Sequence, residues 1–195
     1  MRNIIRPALA AVAIFTASLG VVLPVGFTLL SGALLPHQAG GSLVSAQGKI
    51  FGSELIGQDF TSDRYFHPRP SATTEPDPGK PGGASDHPYN GAASGASNLG
   101  PTSASLLATV QARVAALGAG PVPADAATAS ASGLDPHISP AYAQRQVARV
   151  AEARHLPPEH VARLVGEQVL GRELGVLGES RVNVLQLNLA LDTLW

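Results

Sequence analysis

From Pro7 to Gly48 the chain carries no Lys, Arg, Asp or Glu. Within that window Ala8 to Leu35 is almost wholly apolar or small, broken only by Thr16, Ser18, Thr28, Ser31 and Pro24. A bilayer core about 30 Å thick is crossed by roughly 20 helical residues, so the stretch spans with length to spare. A cleaved signal peptide is the alternative, and Val44-Ser45-Ala46 before Gln47 has the small-residue form of a cleavage site. A signal core, however, runs about 7–15 residues and is cut close to its end. The apolar run here is far longer and Ala46 lies well beyond it, so a retained anchor is expected. Pro24 removes a backbone donor and is expected to kink the helix, which neighbouring helices can tolerate.

The flanks set an expected orientation. Arg2 and Arg6 precede the helix, and the first basic residue after it is Lys49. The positive-inside rule then places residues 1–7 in the cytoplasm, 8–35 in the membrane, and 36–195 outside as a soluble domain. With no cysteine in the chain there is no lipoprotein attachment site. A net charge of −1 with 14% charged residues offers no basic field for nucleic acid.

Past the helix, Ser42-Leu43-Val44 and Lys49-Ile50-Phe51 read as strands around a Gln47-Gly48 turn, with a third strand at Glu54 to Gln58. Residues 65–102 are dense in Pro, Gly, Ser and Ala and by composition form a disordered linker, with Tyr65, Phe66, Tyr89 and Leu99 available to pin parts of it. Thr102 or Ser103 caps a helix to Leu117, whose stripe of Leu106, Leu107, Val110, Val114 and Leu117 is expected to be core. Loop follows to Ile138, with a short strand near Val122. Ser139-Pro140 opens a second helix with Ala143, Val147, Val150 and Ala151 inward. A third follows Pro157-Pro158, burying Val161, Leu164 and Val165. Arg181 to Leu191 alternates like a strand until the phase slips, as at a bulge or a strand passing into a helix near Asn188. A few strands and about three helices without regular βαβ alternation make this an α+β domain.

Enzyme signatures are sparse. Lys80 is followed by Pro81 and lacks the glycine spacing of a P-loop. Gly95-Ala96-Ser97-Asn98-Leu99 approaches a nucleophile elbow, but Leu99 stands where that turn needs glycine. His37, His67, His87, His137, His155 and His160 form no HExxH and have no cysteine partner for zinc. No catalytic residue and no metal ligand is assigned. The one nucleophilic set that can be assembled is Ser97, His137 and Asp135, which would make the chain a membrane-anchored exported hydrolase. A binding module is the other alternative.

Three segments are richer than a linker needs: residues 65–71, 89–102 and 128–140. Glycine permits close backbone approach and helix N-termini present free N–H groups that suit anions. The same Ser, Asn and Asp residues also serve turns and caps. Both readings stand at the level of residue chemistry.

At these segments the sequence resembles the C subunit of the Kdp potassium-transporting ATPases. The likeness runs through Pro36 to Leu43, Gly52-Ser53-Glu54-Leu55-Ile56-Gly57-Gln58-Asp59-Phe60 and Tyr65-Phe66-His67-Pro68-Arg69-Pro70-Ser71. It continues in Ser94-Gly95-Ala96-Ser97-Asn98-Leu99-Gly100, in Thr128 to Asp135 and in Arg181 to Asp192. The resemblance implies a non-catalytic subunit in a bacterial inner membrane. Its partners would be a channel-like potassium-translocating subunit, a P-type subunit that hydrolyses ATP, a small membrane subunit and the lipid bilayer. It implies a catalytic chaperone that raises the ATP affinity of the hydrolysing subunit; ATP is bound by the complex and the chain has no cofactor of its own. The family's serine-glycine segment has been likened to a phosphate-contacting signature, so Ser94, Gly95, Ser97 and Asn98 are the candidate nucleotide contacts. Ala96 stands where the family commonly has a second glycine, which weighs against a direct cradle. Arg2 and Arg6 weigh against it too, because a domain held outside never meets ATP.

Overall fold

The uncharged window is helical as far as Leu34. Helix α1 (Arg2–Ala17) passes through a π-turn at Ser18–Val22 into α2 (Leu23–Leu34). Its stretch Ile4–Leu34 is 31 residues, none of them buried, and is long and apolar enough to cross a membrane. Helix therefore begins before the expected Ala8 and takes in Pro7. The irregularity expected from Pro24 is the π-turn. Pro24 has no N–H to give the Gly20 carbonyl four residues back, and a wider turn moves each acceptor on by one residue. The Leu23 N–H accordingly reaches five residues back to the Ser18 carbonyl. Hydroxyls of Ser18, Thr28 and Ser31 donate to carbonyls four residues earlier at 2.7–2.9 Å, so none is left unpaired among apolar neighbours.

The computed structural model describes residues 2–46 and 48–194. The chain divides into two units, residues 1–51 and 52–195. The first adds a helical turn α3 (Pro36–Ala39) and strand β1 (Leu43–Ala46), which pairs with β2 (Lys49–Ser53). Of the turn expected at Gln47-Gly48, Gln47 lies outside the described residues, and Gly48 sits at φ +76°.

In the second unit the expected strand at Glu54–Gln58 is instead turn and coil. Its backbone groups find other partners: the Gly57 N–H donates to the Leu134 carbonyl at 2.8 Å and the Asn183 amide donates to the Glu54 carbonyl at 2.8 Å. Residues 65–102, which composition reads as a disordered linker, form an ordered path. It contains an antiparallel hairpin of β3 (Thr74–Pro76) and β4 (Ala84–Asp86), with Glu75 opposite Ser85. Helix α4 (Ala104–Ala116) starts where expected, the Ser103 hydroxyl accepting from the Leu106 N–H. Its apolar stripe is not core, however: no residue of α4 is buried. The helix packs chiefly on a single short helix, α5 (Ala124–Ala127), which is too small to cover it. No strand forms near Val122; that residue is a loop side chain packed on the core.

The remainder supplies that core. Strand β5 (His137–Ile138), unexpected from sequence, leads to α6 (Pro140–Arg154), capped by Ser139 as anticipated. Then come α7 (Pro158–Glu167), β6 (Val169–Leu170), β7 (Arg181–Asn183) and α8 (Val184–Asp192). The sheet order is β5-β7-β6, antiparallel throughout. The phase slip in Arg181 to Leu191 is a strand-to-helix change, but it falls at Asn183 rather than Asn188. The Asn183 side chain caps the new helix by accepting from the Gln186 N–H. Val147, Val150, Val161, Val165, Val182, Leu187 and Leu191 close the apolar centre with Phe66, which is wholly buried.

Phe66 reaches that centre because helices grip the extended backbone around it. The Asn188 amide accepts from the Phe66 N–H at 2.8 Å and donates to the Phe66 carbonyl at 3.0 Å. Gln146 does the same for His67, at 2.7 and 3.0 Å. Two side-chain amides thus stand in for the neighbouring strand that the segment lacks. Arg154, only 2% exposed, pairs with Asp192 at 2.7 Å, donates to the Arg64 carbonyl at 2.6 Å and lies over the Tyr65 ring.

Candidate functional site

The three unusual segments of the sequence meet in one hydrogen-bonded hub. Ser130 and Ser132 fold the 130–134 turn on itself, their hydroxyls accepting from the N–H groups of Gly133 and Leu134. Gly133 sits at φ +68°, a conformation that L side chains rarely adopt. The exposed Ser132 carbonyl of that turn receives the Gly95 N–H at 2.9 Å and the Ser94 hydroxyl at 3.0 Å. The Gly133 carbonyl receives the Ser71 hydroxyl at 2.8 Å. Ser71 also accepts from the Tyr89 N–H, and the buried Thr73 hydroxyl donates to the His87 carbonyl at 2.6 Å while accepting from Asn90.

Arg69 is the charged member of the hub. It donates to Asp135 at 2.8 Å, and its own carbonyl takes the Tyr89 hydroxyl at 2.6 Å. It forms, with Asp135, a wall shared by two open clefts. One, of about 650 Å³, also includes Asp125, His137, Ser139 and Arg181; the other includes Ile56, Ser130, Ser132 and Leu134. Asp125 is spent on the start of α6, accepting from the Ser139 N–H and hydroxyl at 2.6 and 2.9 Å. Burial works to raise the Asp135 carboxyl. Hydrogen bonds from the His137 side chain and backbone and from Arg69, with the Arg69 charge, outweigh it and hold Asp135 below the usual range. Burial, helped by the Asp135 charge, pushes the Tyr89 phenol up.

Asp135 therefore adds stability that is fully present above the ordinary carboxylate value of 3.8 and is lost as the pH falls through its depressed folded value. Asp135→Asn is expected to melt below the parent at neutral pH, with the gap closing on acidification. Melting curves of both chains from neutral pH down into the acid range check this; a gap that stays constant would refute the role of the charge.

The candidate nucleotide contacts are not brought together as a cradle. The Gly95 N–H and Ser94 hydroxyl are both used on the Ser132 carbonyl. Ser97 and Asn98 are exposed, Asn98 with φ +54°, and no hydrogen bond of the hub reaches either. Of the nucleophilic set, Asp135 accepts from the His137 N–H at 3.0 Å and lies 3.6 Å from its Nδ1, but Ser97 bonds to neither. Arg69, Thr73, Tyr89 and Ser132 hold the hub together; residue chemistry named Tyr89 as a residue able to pin the tract and assigned the other three no such role. Of those three, only Arg69 carried a signal, a lone charge in a run of prolines and aromatics.

The segments that build this hub are also those that carry the family likeness. Residues 5–193 match the model of the KdpC family, described as "K+-transporting ATPase, c chain". The "Potassium-transporting ATPase KdpC subunit" of Methylobacterium nodulans is 55% identical over 97% of this chain and 96% of its own. The protein of the same name from Bradyrhizobium diazoefficiens is 53% identical over 96% of each chain, and that from Burkholderia cenocepacia 51% identical over 98% and 97%. With the match running from the apolar helix through the hub to the end of α8, the chain belongs to the KdpC family.

Proposed function

We propose that this chain is a non-catalytic accessory subunit of an ATP-driven potassium uptake pump, anchored by residues 8–35 with residues 1–7 inside and the domain outside. It assembles with a potassium-translocating subunit, an ATP-hydrolysing subunit and a small membrane subunit. It stabilises that assembly and raises the ATP affinity of the hydrolysing subunit without touching nucleotide. The observation that carries this reading is the use of the Ser94 hydroxyl and Gly95 N–H on the Ser132 carbonyl, which takes these two donors of the serine-glycine segment away from phosphate. Coupling then runs through the membrane partners, and such coupling is typically worth ~1–3 kcal/mol.

The experiment is a topology map in cells that make the whole pump. Lys80 lies in the exposed turn between β3 and β4. Lys80→Cys is expected to react with an impermeant thiol reagent added outside spheroplasts, and Asn3→Cys only after lysis. The chain has no cysteine of its own to confuse the readout. Labelling of Lys80→Cys only after lysis would put the domain beside ATP and end the indirect mechanism.

A further inference from the structure

The β6–β7 hairpin carries the most conspicuous apolar surface of residues 52–195. Leu174 is 89% exposed, Val176 74% and Leu177 57%. No other large apolar side chain of that unit, among the described residues, is as exposed as the first two. Single exposed aliphatics are ordinary, but three in four consecutive positions at the end of a projecting hairpin are not.

The tip is also held in shape. Glu173 and Leu177 exchange both backbone hydrogen bonds at 2.9 Å, closing a three-residue turn over Leu174, Gly175 and Val176. Below it, Arg181 pairs with Glu173 at 2.7 Å. Leu174 itself lies at φ +52°, where a branched apolar residue is disfavoured and Asn or Gly is usual. Nothing in the folded unit covers that leucine, so its strain gains no packing within the unit. Backbone strain of this kind gathers at sites that meet a partner.

Charge decides what the partner is. The rim holds Arg172 and Arg181 against Glu173 and Glu179, which sums to zero, and one of these pairs is already closed. Loops that enter anionic bilayers present excess Lys or Arg and often an interfacial aromatic; this tip has neither. A rigid aliphatic knob with a balanced rim matches a preformed apolar groove in a protein, because its ordering entropy is already spent. We propose that Leu174, Val176 and Leu177 form a docking knob that seats in an apolar groove on another subunit of the pump. The inference rests on the pump-subunit reading, and the anchor helix assists it by keeping the knob near its partners.

The test uses the full chain in the assembled pump. A photoreactive amino acid at position 176 is expected to form a covalent adduct with another pump subunit, identified by mass. Adducts only with lipid, only with a second copy of this chain, or with nothing overturn the proposal. In parallel, Leu174→Ser combined with Val176→Ser is expected to cut recovery of the other subunits in mild detergent by about tenfold or more. The unfolding temperature of the chain alone should not change, because neither side chain is packed. Leu107→Ser on α4 serves as the control and keeps full recovery. If the wild type brings no pump subunits, the pump reading fails and this inference with it; if the double variant brings them as the wild type does, the docking knob alone fails.

Discussion

Asn188→Ala is expected to lower the unfolding free energy by about 3 kcal/mol, since two buried backbone groups lose their partner at about 1–3 kcal/mol each. The Asn188 amide is 2% exposed and holds both the N–H and the carbonyl of Phe66. Water has no route to replace it at the centre of the core. A domain with a total stability of about 5–15 kcal/mol feels such a loss as a large drop in denaturation midpoint. Asn188→Asp separates the two bonds: a carboxylate still accepts from the Phe66 N–H but gives nothing to the carbonyl, and it buries a charge. It should therefore be at least as damaging as alanine. Thr193→Ala, on the exposed end of α8, should stay within about 0.5 kcal/mol. Urea titrations of the full chain in detergent, followed by the domain's circular dichroism, measure all three. An Asn188→Ala midpoint equal to that of Thr193→Ala would show that the clamp on Phe66 contributes nothing.

That clamp explains why residues 65–102 read as disorder. A proline-rich segment has little helix or strand propensity, and composition registers only that. What orders it is supplied from 79 and 122 residues away, by Gln146 and Asn188. The helix carrying Gln146 was legible, because Ser139-Pro140 is a local start signal and Val147, Val150 and Ala151 repeat with helical spacing, whereas α8, which carries Asn188, read largely as a strand. Within the same pattern lay an unused clue. Arg154 and Gln146 fall on the buried face of α6, and Asn188 falls between Val184 and Leu191 on that of α8. A polar residue at a core position needs a partner, so each marked a tertiary bond whose other end the sequence does not name. The stripe on α4 shows the converse failure: periodicity reports that a face is apolar, not that a neighbour is large enough to cover it.

The hub was half legible for the same reason. Residues 65–71, 89–102 and 128–140 stood out as over-rich in side-chain donors and glycine, and the structure brings all three together. Their use was open, since free N–H groups at glycine suit an anion or another loop equally well. In the structure the Ser94 hydroxyl and Gly95 N–H go to the Ser132 carbonyl, whose distance of 38 residues from Ser94 put that pairing beyond any local pattern.

Gly133→Ala is expected to cost about 3 kcal/mol and to loosen the hub specifically, from a left-handed backbone penalty of ~1–2 kcal/mol and overpacking of ~1–3 kcal/mol. A methyl group there would fall 2.5 Å from the Thr73 Cγ2 and 2.7 Å from the Gly95 carbonyl oxygen. Neither neighbour yields freely. Thr73 is buried with its hydroxyl tied to the His87 carbonyl, and Gly95 is tied by its N–H to the Ser132 carbonyl. The new methyl therefore has to part residues 94–95 from the 130–134 turn. Gly57→Ala attacks the hub from its other side, where a Cβ would overlap the Tyr89 ring and approach the Asp135 carbonyl oxygen at 2.7 Å. Gly91→Ala, with open space around it and no positive φ, should be neutral or slightly stabilising, by up to ~1 kcal/mol through the unfolded chain. Amide exchange distinguishes local loosening from global loss: in Gly133→Ala the Gly95 N–H should exchange much faster than in the parent under conditions where α6 amides hold their protection. Slow exchange at Gly95 in that variant, or a midpoint matching Gly91→Ala, would mean that the two loops are not locked together through Gly133.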